Sequence, residues 1–119
     1  MLIDFEKITP HQRYKLLTAA VVPRPIALVS TLTPDGAVNA APFSFFNVFS
    51  EDPALAILGL QHAPDGSIKH TTRHILDNGE FVINLVDRQL AEAMAVCAAR
   101  FPADVSEIEA AGLSVTSSR

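Results

Sequence analysis

Tryptophan is absent from this 119-residue chain, and tyrosine and cysteine occur once each, as Tyr14 and Cys97. A lone cysteine excludes an intrachain disulfide and suits a reducing, cytoplasmic setting. Positive charge is also scarce. Nine Lys and Arg stand against thirteen Asp and Glu, for a formal charge of −4. No basic face is visible, which argues against a nucleic-acid partner. Long hydrophobic runs are missing too, because Arg24 and several prolines interrupt the best candidates, well short of the roughly 18 residues a membrane helix needs. The opening "MLIDFEKI" carries acids where a secretion signal carries basic residues. No G-x-S-x-G, P-loop or G-x-G-x-x-G occurs, so the commonest hydrolase and dinucleotide-binding patterns have no foothold. A soluble, cytoplasmic, single-domain protein with no membrane or nucleic-acid partner is expected.

What is present is local punctuation. In "ITPHQRYKLLTAA", Thr9 is an N-cap, Pro10 the first helical residue and Gln12 the return partner of a capping box. "PRPIALVSTL" reads as a strand, "TPDG" as a tight turn and "AVNAAPFSFF" as the return strand of a hairpin, bent at Pro42. "DPALAILGL" is apolar on both faces, as a strand in the middle of a sheet is. "QHAPDGS" is a loop, and "IKHTTRHILDNG" a helix closed by a left-handed Gly79. "EFVINLV" is a further strand. Asp87 caps a helix running to about Arg100. Ser106 and Glu109 make a second capping box, and "LSV" looks like the start of another strand. The fold class is therefore α+β, mainly β: an antiparallel sheet inclined to curl into a small barrel, with short peripheral helices.

Among the candidate chemistry, His70 and His74 share a helix face at zinc-ligand spacing. Thr71 stands where a metalloprotease helix carries glutamate, however, and no third ligand is obvious, so two solvent-facing histidines are expected and no metal. Cys97, among alanines, reads as a small buried thiol. Two stretches carry more. "SIKHTTRHI" puts Lys69, His70, Thr71, Thr72 and Arg73 into the first turn of a helix. Free N–H groups and the helix dipole attract anions there; a self-capping surface helix is the bland alternative. "NAAPFSFFNVFSEDP" packs four phenylalanines beside two serines and two asparagines. That mixture suits a flat ligand with polar edges, or a bent core strand with its polar residues in solvent. Arg24, clamped between Pro23 and Pro25, stands at a strand entrance, as a ligand group or as an ordinary edge arginine.

The run "VVPRPIALVSTLTPDGAVNAAPFSFFNVFSEDPALAI", the K-x-T helix start at Lys69 and "GEFVINLV" together resemble the flavin reductase-like, FMN-binding split-barrel family, over Leu17 to Val115. The resemblance implies a six-stranded split barrel, usually a homodimer, with FMN as cofactor. It also implies NAD(P)H as electron donor, so that flavin and nicotinamide nucleotide are the expected partners. Ser30 and Thr31 would approach the flavin or its phosphoryl tail, and Ser44, Phe45, Phe46 and Asn47 would line the ring system. Lys69, Thr71 and Thr72 would take the phosphate, and Arg24 would stand near the ring. No catalytic side chain is assigned. Position 70, acidic in many relatives, is His70 here, and relatives continue with strands beyond the point where this sequence stops. An NAD(P)H-dependent flavin oxidoreductase is expected. A flavin-binding electron carrier and a non-catalytic split-barrel binding domain, holding another phosphorylated ligand such as pyridoxal phosphate or none, remain open.

Overall fold

Strand β1, Ala27–Leu32, is hydrogen-bonded along both edges, to β2 (Val38–Phe43) and to β5 (Val82–Leu85), both antiparallel. The computed structural model that shows this describes residues 2–63, 65–102 and 105–118. A strand flanked on both sides must find cover for both faces, and the sequence "ALV" supplies it: Ala27, Leu28 and Val29 are all buried. Because side chains alternate across a strand, Ala27 and Val29 join one core cluster and Leu28 the other. On the first face lie Phe46, Phe43, Leu58, Ile83 and Ile75, the last from helix α2 (His70–Asn78). On the second lie Ala40 and Cys97, with Met94 from α3 (Ala91–Cys97) and Ile108 from α4 (Glu107–Ala110).

The β1–β2 turn follows its sequence signal. Gly36 N–H donates to the Thr33 carbonyl at 2.9 Å, and Gly36 has φ 85°, a conformation favourable to glycine. The predicted return strand to Phe46 ends earlier. β2 stops at Phe43, the chain bends at Ser44 and Phe45, and a new strand β3 (Phe46–Glu51) begins, paired with β4 (Ala54–Leu58). Its turn contains a cis Asp52–Pro53 peptide bond. The β3–β4 ribbon is a second sheet, separate from β2-β1-β5. The two antiparallel sheets do not close on each other, as befits a split barrel. Among the described residues five strands are present.

Several expectations change in detail. β4 is not a buried central strand: it pairs only with β3, so Leu55 and Ile57 are each 51% exposed, beside Val48 and Phe49 on β3. An unbroken apolar run reads the same whether its second face is covered or not. Asp87 accepts from Gln89 and Leu90 N–H at 2.9 and 3.0 Å, but this closes only the turn before the helix, which is Ala91–Cys97 with Leu90 as an N-cap that makes no side-chain cap bond. Ser106 accepts from Glu109 N–H, giving half of the expected capping box. Residues 113–118 form no strand, and Pro64 of the predicted loop lies outside the described residues. Among the described residues no helix is long and apolar enough to cross a membrane.

At the N-terminus the capping box is complete. Gln12 N–H donates to Thr9 Oγ1 at 3.2 Å and Thr9 N–H to Gln12 Oε1 at 2.9 Å, opening α1 (Pro10–Ala20). Beyond the end of β4, Gly59 N–H donates to the Phe45 carbonyl at 2.7 Å, which clamps the Ser44–Phe45 bend. A Cβ at position 59 would lie 2.9 Å from Phe45 Cβ. Gly59→Ala should therefore destabilise the fold by about 1–3 kcal/mol, read as a lower urea midpoint. An unshifted midpoint would show that the bend yields to a methyl group.

Candidate functional site

Helix α2 opens without a capping side chain. Lys69 is its N-cap residue and makes no side-chain cap hydrogen bond, so the first-turn N–H groups are left without that partner. Lys69 is exposed, and among the described residues the only ion pair within 4 Å joins Lys7 to Asp4, so no described carboxylate pairs with Lys69. Thr72 is half-buried beside it. The combination of uncompensated cation, hydroxyl and helix dipole is suited to an anion.

Thr71 turns the other way. It is buried, and its Oγ1 accepts from Asn39 Nδ2 at 3.1 Å. The same amide donates to Thr31 Oγ1 at 3.3 Å, and Thr31 Oγ1 lies 3.2 Å from His74 Nδ1. The expectation of two solvent-facing histidines thus holds for His70 alone. His74 is half-buried, drawn inward because it lies one turn after Thr71 on the face that meets the sheet. The two rings remain near each other, with centroids 6.4 Å apart, but among the described residues no cluster of three or more metal-ligating side chains is present.

The bend at residues 44–47 sits on the same sheet face as α2. Phe46 is buried against Ala27 and Val29, the cluster that Ile75 of α2 also joins. Phe45 is half-buried, with its ring centroid 5.8 Å from that of Tyr14 in α1, and Ser44 is half-buried beside it. Asn47 is exposed, and its Oδ1 accepts from Val48 N–H at 2.8 Å. The structure thus gathers Thr31, Phe46, Thr71 and Thr72 around one face of β1.

Two candidates fall elsewhere. Ser30, adjacent to Thr31, points to the opposite sheet face, where Asn84 Nδ2 donates to its Oγ at 3.2 Å. It lines a groove of about 740 Å³ with Leu28, Ala40, Ile108 and Val115. Arg24 is tied to α1: its Nη1 donates to the Thr18 and Val21 carbonyls at 2.6 and 2.7 Å, satisfying the helix C-terminus. Its Nε is buried and has no partner among the described residues.

Sequence reasoning passed over Asn39, His74 and Gly59 as parts of this arrangement. One signal was available: Asn39 lies opposite Thr31 in the hairpin, a register that the turn at Thr33–Gly36 fixes.

A family profile described as "Flavin reductase like domain" matches residues 19–119, and the chain belongs to that family. An uncharacterized protein of Aquifex aeolicus is 42% identical over 106 residues, covering 89% of this chain and 54% of that protein. Among solved structures, nitrilotriacetate monooxygenase component B from Bacillus cereus superposes with a TM-score of 0.91 at 36% identity, over 100% of this chain and 58% of that one. The 2-nitrobenzoate 2-nitroreductase NbaA of Pseudomonas fluorescens gives 0.85 at 40% identity, over 100% and 56%. The chain spans about half the length of the curated relatives it matches.

Cys97 stands apart from this face. It is buried on the second face of the sheet, and burial, with the Glu107 carboxylate adding to it, pushes its thiol above the ordinary value. The thiolate is the reactive form. Iodoacetamide at neutral pH should therefore label Cys97 far more slowly in the native protein than in urea, as read by mass spectrometry. Equal rates would contradict the buried placement.

Proposed function

We propose that this chain binds FMN on the face of β1 shared by α2 and the phenylalanine-bearing bend, as part of an NAD(P)H-dependent flavin oxidoreductase. The observation that carries the reading is that shared face: Phe46 and Ile75 meet on the same Ala27–Val29 cluster, so an anion-suited helix start and an aromatic, polar-edged bend flank one surface. Family membership and likeness to a monooxygenase component and a nitroreductase support flavin-linked redox chemistry.

The residues present fit the group. A phosphate dianion calls for a cation and several N–H donors, which Lys69 and the uncapped first turn of α2 offer. An isoalloxazine is apolar across its face and edged with carbonyls and nitrogens, which suits Phe45 and Phe46 beside Ser44 and Asn47. Thr72 adds a hydroxyl at the phosphate end, and Thr71 contributes its backbone N–H while its side chain secures the helix. Thr31 works from beneath, through the same buried network. Arg24, fastened to the end of α1, sets where the chain enters β1 and keeps a guanidinium at that entrance. Ser30 steadies β1 from the opposite face through Asn84.

When bound, FMN supplies acceptance of hydride from a reduced nicotinamide and onward delivery of electrons. The task left to the chain is to bind, orient and shield. One partner assignment and one of cellular setting accompany the reading. The exposed Val48, Phe49, Leu55 and Ile57 of the β3–β4 ribbon favour pairing with a second copy in a homodimer, and the single buried cysteine suits a cytoplasmic setting.

Mixing the full-length protein with FMN and NADH or NADPH, without oxygen, should bleach the flavin's visible absorbance. A persistent oxidised spectrum with both nicotinamides would refute the reductase. Lys69→Ala should weaken FMN binding about tenfold, a modest effect because the ammonium is solvent-exposed. Unchanged affinity in a fluorescence titration would place the phosphate elsewhere.

A further inference from the structure

Asn39 has no part in the ligand contacts proposed above, yet it is only 8% exposed and its amide is committed in two directions. A primary amide carries two N–H donors. One goes to Thr31 Oγ1 in the neighbouring strand, at 3.3 Å, and the other to Thr71 Oγ1 in α2, at 3.1 Å. With Thr31 Oγ1 accepting from Asn39, its own hydrogen is free for His74 Nδ1, 3.2 Å away. A single side chain from β2 thus fastens successive turns of α2, directly at Thr71 and through Thr31 at His74.

Two other attachments of α2 among the described residues are apolar contact and a hydrogen bond at its far end. Ile75 packs against the Ala27–Val29 cluster, and Asn78 Nδ2 donates to the Leu32 carbonyl at 2.7 Å at the far end of the helix. Apolar contact is non-directional and tolerates a small slide or rotation, and a bond at the last turn leaves the first free to swing. Hydrogen bonds have narrow geometry. The Asn39 network is therefore what fixes the azimuth of the first turn. Lys69 and Thr72 flank Thr71 in sequence, so whatever sets Thr71 also aims them.

We infer that Asn39 is the positioning residue for the phosphate end of the flavin site, holding the first turn of α2 in register through Thr71, Thr31 and His74 without touching the ligand. This rests on the FMN reading and extends it to a side chain outside the pocket. A residue of this kind acts on one end of the ligand only, which separates it from a residue that merely stabilises the core.

Asn39→Leu keeps nearly the same branched shape and removes both donors. Its test is a pair of dissociation constants in the full-length protein, for FMN and for riboflavin, which has the same rings and ribityl chain but no phosphate. FMN affinity should fall about tenfold while riboflavin affinity holds, and amide hydrogen exchange should quicken in α2 but not in β1. Equal losses for the two flavins, or no loss for either, would overturn the inference. Should Asn39→Leu fail to fold, Asn39→Ser, too short to span both hydroxyls, must show the same selective loss. Failure of both variants to fold would also overturn it, by showing that the network serves the core alone. If the unaltered protein binds riboflavin as tightly as FMN, the phosphate reading fails and the inference with it. If it prefers FMN and the variants keep that full preference, only the inference fails.

Discussion

Burial of β1 on both faces is the constraint from which the rest of the molecule follows. A strand with partners on either edge and apolar residues on either side is stable only between two layers, and this chain supplies them from different parts of its sequence. α3, α4 and Leu113 cover the face of Leu28. α2, Phe46 and Leu58 cover the face of Ala27 and Val29. The second cover makes a site conceivable, because it brings a helix start and an aromatic bend to the same side of the sheet.

The polar residues at the end of β1 turn that packing into a defined geometry. Thr31 continues the Ala27–Val29 face, but where the apolar cluster ends it meets Asn39, Thr71 and His74. A buried network of this kind costs stability if left incomplete and gives orientation when its donors and acceptors are matched. Gly59 does the corresponding work for the bend, by letting two backbones approach more closely than a side chain would allow. One clamp holds the helix and the other the aromatic turn, and the residues that set them, Asn39 and Gly59, are not among those proposed to face the ligand.

Much of this architecture was legible where the rules are local. The Thr9–Gln12 capping box, the Thr33–Gly36 turn and the left-handed Gly79 at the end of α2 all form as their few residues dictate. The helix start at Lys69 was legible in the same way, whereas the bend falls at Ser44 and Phe45 and not at Pro42, which stays within β2. What escaped was tertiary. The β3–β4 hairpin was missed because "DPALAILGL" looks alike as a central strand and as half of a one-sided ribbon. The inward turn of His74 depends on a residue 43 positions away, and the Asn39–Thr71 bond spans 32. Periodicity can say that Ser30 and Thr31 face opposite ways; a motif that pairs them as ligands does not.

The central claim is that residues 44–47 and the start of α2 form one ligand surface. Amide hydrogen exchange with and without FMN tests it most directly. Protection rising together in 44–47 and 69–73, and saturating at the same flavin concentration, is the predicted result. Protection confined to one of the two segments, or to the groove lined by Ser30 and Val115, would contradict it.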